Sequence, residues 1–407
     1  EGHRRLYQQL KDSVPYRPEG LTGLQPLYQA VVHGCRAGLY QETCTEVYRD
    51  RILRGAGPGG FYSTKKLGAF GADLGALACF FTEPWQRLAP GLSVGAQAWL
   101  LNEAATRLRA LGRLAEALEP IRAGVQMRVE QKAWKNAAAI YSNLSELQLS
   151  LGHIALAVAD AERSVDYADR SGDAFFRIVS RTTLADARHQ QGEWEAARHG
   201  FAEAEAMQAE RQPEYPLLYS LQGFRYGELL LAEAERAAWG GAVEGEGSEA
   251  CAQVAQRAAQ TLKWVEPQDW LLDIALDHLT LARCALYADL LHGRPPGEDA
   301  QQHTEAAVAG LRQAGTMDHL PRGLLTRAWL RHCLNDLPGA QADLAEAQRI
   351  AERGGMKLHL ADIALTRARL FEDKAELAKA RALIEECGYG RRLPELEDAE
   401  RRLGLAR

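Results

Sequence analysis

Residues 185–204, ADARHQQGEWEAARHGFAEA, contain the pattern that decides the fold of this chain. Gly192 stands near the middle, with a small residue seven positions before it, Ala185, and two more five and twelve positions after it, Ala197 and Ala204. Glycine tolerates the positive φ that ends a helix, and small side chains let two helices approach closely. The stretch therefore predicts two antiparallel helices joined by a tight turn at Gly192.

The same pattern occurs twice more upstream, around Gly112 and Gly152, at a constant spacing of 40 residues. The corresponding small residues are Ala105, Ala117 and Gly124 in one copy and Ser145, Ala157 and Ser164 in the other. A fourth copy, residues 323–355, has Asn335 in place of the turn glycine, and Asn also adopts the left-handed conformation. Repeated helix pairs that bury one face against their neighbours predict an α-solenoid.

This small-residue core with glycine at the turn resembles the tetratricopeptide repeat (TPR), although 40 residues exceed the usual period of ~34. The resemblance covers residues 98–206 and again 323–355. It implies an all-α, right-handed superhelical solenoid of TPR-like helix-turn-helix repeats, with about 18–19 helices and a ~40-residue period.

Breaks in the pattern divide the chain into four parts. Residues 1–95 form a divergent N-terminal helical part, with helices expected at 24–38, 41–53 and 66–81, and residues 96–210 hold the regular repeats. Residues 211–318 hold degenerate repeats, interrupted by a Gly-rich loop at 240–248 and a Pro-rich loop at 293–297, and residues 319–407 hold the C-terminal repeats and a polar capping helix. No run of alternating β-branched residues predicts a strand.

Composition and charge exclude several classes of protein. The chain is 46% hydrophobic and 25% charged, as expected of a globular protein, and its net charge of −6 argues against a nucleic-acid partner. No apolar run of about 18 residues predicts a membrane span. The seven cysteines include no C-x-x-C and predict buried, reduced thiols in a cytoplasmic protein. Because Glu1 stands where an initiator Met would, we expect a piece of a longer protein.

No motif predicts catalysis. The loop between Gly55 and Lys66 lacks the Gly-Lys-Ser/Thr of a phosphate-binding loop, and no predicted strand precedes it. The eleven histidines show neither H-E-x-x-H nor zinc-ligand spacing with Cys, and no G-x-S-x-G occurs. We therefore expect no catalytic residue, no metal and no cofactor, and we predict that the chain is not an enzyme.

The TPR resemblance implies that the first helix of each repeat lines a concave face. The binding residues that this assigns are Trp99, Asn102, Arg109, Glu146, Thr182, Asp186 and His189. Such a mixed polar set fits a protein or peptide ligand; the alternative is a solvated inner surface without a ligand. Glu146 and Asp186 argue against the carboxylate clamp that Asn102 and Arg109 would otherwise suggest.

The aromatic stretch 215–226 adds Tyr219 and Tyr226 as candidate binding residues. Aromatic side chains are favoured at binding hot spots, and they also fill irregular core where a repeat degenerates.

Four phrases together resemble the C-terminal TPR region of bacterial STAND (NACHT-like) signalling ATPases. They are Leu24-Gln25-Pro26-Leu27-Tyr28, Asn143-Leu144-Ser145-Glu146-Leu147, Tyr167-Ala168-Asp169-Arg170-Ser171-Gly172-Asp173 and Cys387-Gly388-Tyr389-Gly390-Arg391-Arg392. The resemblance implies a sensor or regulatory module, with an ATPase module upstream as a further, intramolecular partner. The alternative is a stand-alone scaffold that binds protein partners constitutively.

Overall fold

The computed structural model describes residues 1–55, 59–240 and 247–405, and within these residues it contains 21 α-helices. Successive helices pack against one another along the chain, so the all-α solenoid is confirmed. Part of the Gly-rich loop expected at 240–248 and the middle of the loop after Gly55 lie outside the described residues.

The regular repeats occupy the centre of the chain. Their helices are α6 (Val94–Ala110), α7 (Leu114–Glu130), α8 (Trp134–Ser150), α9 (Ile154–Ser171), α10 (Ala174–Gln191) and α11 (Trp194–Arg211). The predicted turn glycines all have positive φ, 75° at Gly112, 84° at Gly152 and 93° at Gly192. Ala185 and Ala197 are buried where α10 packs on α11, which confirms the role of the small residues.

The N-terminal part differs most from expectation. It contains α1 (Gly2–Asp12), α2 (Gly20–Arg36), α3 (Tyr40–Glu42) continuing as a π-helix (Thr43–Ile52), α4 (Tyr62–Lys65) and α5 (Phe70–Ala78). The helix expected at 66–81 begins only at Phe70, because Gly68 has a φ of 60° that interrupts helical geometry. An unexpected antiparallel hairpin, β1 (Phe81–Glu83) and β2 (Arg87–Leu88), turns through Trp85 at a φ of 63°.

Ten helices complete the described chain. They are α12 (Ser220–Leu230), α13 (Ala232–Gly240), α14 (Ser248–Val265), α15 (Leu271–Leu291), α16 (Glu298–Ala314), α17 (Leu320–Cys333), α18 (Leu337–Gly354), α19 (Lys357–Phe371), α20 (Lys374–Cys387) and α21 (Leu393–Arg402). Asn335 has a φ of 64°, as its place at a repeat turn predicts. In the degenerate repeats, α12 and α13 follow each other with only Leu231 between them.

The solenoid curls back until its central turns contact its C-terminal repeats. The amide of Met317 donates to the carbonyl of Ala110 at 2.7 Å. A Cβ added at Gly152 would lie 2.6 Å from Sγ of Cys387, and one added at Gly192 would lie 3.0 Å from the carbonyl carbon of Gly390. The inner face of the central repeats is therefore partly covered by the chain itself.

The seven cysteines are all free, and most are buried, as expected. Within the described ranges, no helix combines the length and apolar character needed to cross a membrane.

Candidate functional site

An open groove runs along the beginnings of the first helices of the central repeats. Its first part, a hollow of about 730 Å³, is lined by the predicted residues Trp99 and Asn102 on α6 and by Ala139 on α8. Phe175 and Phe176, in the first turn of α10, form the opposite wall. Phe175 is 45% exposed, a large fraction for an aromatic side chain.

The second part of the groove, a hollow of about 650 Å³, adjoins the first and shares Phe175 and Arg211 with it. It is rich in aromatic side chains: Tyr215, Tyr219, Trp264 and Trp270. Trp264 meets the ring of Tyr215 edge-on, with centroids 5.2 Å apart. Each hollow has the volume of a typical ligand pocket, and together they have room for an extended segment.

Positive charge on the groove wall is only partly neutralised. Lys135 pairs with Asp173 at 2.6 Å, and Asp273 accepts a hydrogen bond from Ser220. Burial raises the pKa of Asp273, which weakens its negative charge. Arg128 and the exposed Arg49 and Arg211 have no ion-pair partner in the part of the chain that the structure describes.

Three more of the predicted concave residues, Arg109, Glu146 and Asp186, line a second, smaller cavity of about 90 Å³. We call its wall the interior charge network; it contains seven arginines and seven carboxylates. They are Arg109, Arg225, Arg283, Arg322, Arg369, Arg391, Arg392, Glu146, Asp186, Glu228, Glu235, Asp318, Asp362 and Glu395. Their ion pairs connect α6, α8, α10 and α12 to the C-terminal repeats.

Glu146 and Glu228 are the branch points of this network. Glu146 binds Arg109 at 2.6 Å and Arg225 at 2.9 Å, and Glu228 binds Arg322 at 2.6 Å and Arg283 at 2.9 Å. Burial opposes ionisation of both carboxyl groups, but the guanidinium groups outweigh it. The pKa of Glu146 falls to about 2, and that of Glu228 falls well below its ordinary value.

Three buried histidines adjoin the interior charge network. Burial lowers the pKa of His319 to about 4 and also lowers the pKa values of His189 and His359. Neither ring nitrogen of His189 has a hydrogen-bond partner among the described atoms. These imidazoles are therefore neutral at physiological pH and add no charge to the network.

The structure separates the predicted binding residues into three places. Trp99, Asn102 and Tyr219 line the groove. Arg109, Glu146 and Asp186 lie in the interior charge network, with His189 fully buried beside it. Thr182 is buried and donates to the carbonyl of Val179, and Tyr226 stacks on the core residue Phe201 with centroids 5.0 Å apart.

Helix register explains this separation. In each regular repeat the concave positions nearest the start of the first helix, such as Trp99, Ala139 and Val179, face the groove. Positions two turns later, such as Glu146 and Asp186, face the interior. The repeat pattern places both sets of positions on the same helices, but it does not show that the C-terminal repeats cover the later set.

The sequence reasoning missed Phe175, Phe176, Arg128 and Arg211, which form much of the groove wall. Phe175-Phe176 was detectable as an apolar pair two positions after Asp173, at a helix start where polar residues are usual. Arg128 and Arg211 lie near the ends of second helices, and the predicted set included only first helices.

Lys65, which follows the loop after Gly55, also lines the groove. The ammonium of Lys65 lies 4.4 Å from the ring centroid of Trp270, and Lys66 pairs with Asp269 at 3.4 Å. The described residues contain no group of three or more His, Cys, Asp or Glu that could hold a metal ion.

The described residues form an all-α repeat solenoid with an open groove that is rich in aromatic side chains. No protein-family model matches the chain, and no curated protein matches it.

Proposed function

We propose that the chain is a non-catalytic binding module of TPR type and that its groove holds an extended segment of a protein partner. The observation that carries the proposal is the pair of exposed aromatic side chains in the groove, Phe175 at 45% and Tyr215 at 39%, beside Arg211, which has no ion-pair partner among the described residues. Aromatic and Arg side chains dominate the binding energy of protein interfaces. Each hollow alone has the volume of a small-molecule pocket, and the two adjoining hollows together leave room for a peptide chain.

The resemblance to STAND signalling ATPases supports a more specific role as the sensor or regulatory part of a larger protein. In that role, the segment in the groove is a trigger or an intramolecular partner. The interior charge network favours regulation over passive scaffolding, because it joins distant repeats into one closed unit. A ligand in the groove can then shift the molecule between this closed arrangement and an opened one only if it binds the two with different affinities.

The test is selection of twelve-residue peptides from a random displayed library, with the full chain as bait. Selected peptides are then measured by fluorescence anisotropy against wild type and against Phe175→Ala/Tyr215→Ala. We expect the double variant to bind about tenfold or more weakly, because two exposed aromatic anchors are lost.

The matched control is Leu156→Ala/Leu337→Ala, which removes two apolar side chains of similar exposure outside the groove. Its affinity should equal that of wild type. Failure to select any peptide, or equal binding by the Phe175→Ala/Tyr215→Ala variant, would overturn the proposed function.

A further inference from the structure

The charge of the groove is opposite to the charge of the whole chain. The chain carries a net charge of −6, yet the first hollow of the groove is lined by three arginines, Arg49, Arg128 and Arg211, that pair with no carboxylate among the described residues. Elsewhere in the described structure arginines are mostly paired, as in the interior charge network. An unneutralised cluster in an acidic protein marks a surface that is complementary to an anionic ligand.

Arg128 is the strongest element of this cluster because it is buried. Only 8% of its surface is exposed, and its guanidinium donates to two neutral oxygens, the carbonyl of Gly95 at 2.8 Å and Oε1 of Gln131 at 3.0 Å. Its Nε has no hydrogen-bond partner among the described residues. A buried cation is costly without a counter-charge, so a carboxylate bound in the hollow that Arg128 lines would offset that cost.

Burial lowers the pKa of Arg128, and the nearby positive charge of Arg49 lowers it further. The two guanidinium groups therefore repel each other in the free protein. An anion between them would relieve that repulsion, which favours its binding.

The other two arginines combine charge with aromatic surface. Arg49 lies 5.6 Å from the ring centroid of Trp99, and Arg211 lies 5.5 Å from that of Phe175. Each pair offers a cation beside an apolar ring, and an acidic side chain next to an apolar one matches that arrangement.

Helix dipoles add to the positive potential. The 17-residue α8 and the 18-residue α10 both begin at the groove, at Trp134 and Ala174. Their partial positive N-terminal charges favour carboxylates nearby.

Resting on the proposed function, we propose that the groove selects an acidic protein segment, in which Asp or Glu carboxylates pair with Arg128, Arg49 and Arg211 while neighbouring apolar side chains pack on Trp99 and Phe175. The favoured ligand is a peptide rather than a nucleic acid. Binding of a nucleic acid relies on many basic contacts to its phosphate backbone, and the net charge of −6 opposes such binding.

The probes are three fluorescein-labelled twelve-residue peptides of one design. In the first, Glu alternates with Leu and Phe; in the second, Gln replaces each Glu; in the third, Lys does. We expect the full chain to bind the Glu peptide about tenfold or more tightly than the Gln peptide and the Lys peptide most weakly. Added salt should weaken binding of the Glu peptide alone.

Arg49→Ala/Arg211→Ala should remove most of the preference for Glu over Gln. Both side chains are exposed, so the variant is expected to fold normally, and Arg349→Ala/Arg353→Ala is the matched control on exposed residues of α18. Equal affinity for the Glu and Gln peptides, no binding of any of the three, or tighter binding of a twelve-nucleotide single strand would overturn the inference.

The failure of the inference is distinguishable from failure of the proposed function. If library-selected peptides lose affinity in Phe175→Ala/Tyr215→Ala but show no excess of Asp and Glu, the groove binds protein segments and only the acidic class is wrong. If Phe175→Ala/Tyr215→Ala binds them as wild type does, both are wrong.

Discussion

At the scale of single residues, burial changes the chemistry of several carboxyl groups in opposite directions. Glu146 lies between two arginines and ionises more readily than usual, with a pKa of about 2. Asp277 is buried beside Thr261, whose hydroxyl donates to Oδ1 at 2.9 Å, but no cation reaches it among the described residues. Burial therefore raises the pKa of Asp277 to about 8, which the hydrogen bond from Thr261 only partly opposes.

Asp277→Asn should stabilise the protein at alkaline pH. The folded chain keeps a proton on Asp277 that the unfolded chain releases above about pH 4. The contribution of the neutral Asp277 to stability is therefore full below that pH and is lost as the pH rises towards 8. Asparagine cannot ionise and keeps an oxygen for Thr261. At pH 8 we expect the free energy of unfolding to rise by about 2 kcal/mol or more relative to wild type, measured by urea denaturation.

The gain should shrink towards zero at pH 4, where wild-type Asp277 is neutral in the folded chain. Asp166→Asn, at an exposed position of α9, serves as the control and should show no such trend. A gain from Asp277→Asn that does not depend on pH would contradict the assignment.

At the scale of elements, the turn glycines have two separate roles. All of them end a helix at positive φ, and some also permit a close contact with another repeat. Gly192 has both roles, because a Cβ there would lie 3.0 Å from the carbonyl carbon of Gly390. Gly172, at a φ of 67°, only ends a helix, since no described atom would lie within 4 Å of a Cβ there.

Gly192→Ala should therefore destabilise the protein more than Gly172→Ala. Both changes force alanine into the left-handed region, which costs about 1 kcal/mol. Only the change at Gly192 also pushes against the Gly390 backbone, so we expect an extra cost of about 1–2 kcal/mol. Thermal and urea unfolding of the two variants measure the difference; equal losses would show that the contact is unimportant.

At the scale of the whole molecule, the interior charge network holds the central repeats against the C-terminal repeats. Arg225 on α12 binds both Glu146 of α8 and Asp186 of α10, while Arg392 binds Glu235, Asp362 and Glu395. These pairs are largely removed from water, so losing one member leaves an uncompensated buried charge.

The closed arrangement should open in acid before the helices melt. The pKa values of Glu146 and Glu235 are about 2 in the folded chain, below their ordinary values, so their stabilisation is full above about pH 4.5 and is lost as pH falls towards 2. We expect the radius of gyration, measured by small-angle X-ray scattering, to increase between about pH 4 and pH 2.5 while the circular dichroism of the helices persists.

Glu228→Gln should produce a similar opening at neutral pH, because it removes the carboxylate shared by Arg283 and Arg322. Breaking such a buried pair costs about 3 kcal/mol. Glu352→Gln, on an exposed position of α18, is the matched control and should leave the radius unchanged. In the acid titration of the wild-type chain, loss of helix at the same pH as the expansion would contradict the role given to the network.

The amino-acid sequence by itself determined the helix pairs and their turns. Gly112, Gly152, Gly192 and Asn335 end helices because of local backbone energetics, and Ala185 and Ala197 pack because helix periodicity places them on one face. The TPR resemblance named Trp99 and Asn102, and the aromatic stretch named Tyr219; all three line the groove. Such features depend on residues a few positions apart, which is the range over which sequence patterns are informative.

Only the tertiary structure decided which concave residues remain open. Arg109 and Asp318 are more than 200 positions apart, yet they pair at 3.2 Å because the solenoid curls back on itself. The same curvature buries His189 and leaves Phe175 and Arg211 beside each other in the open groove. The small rotation between successive repeats accumulates over many helices, so it decides distant contacts that no local pattern contains.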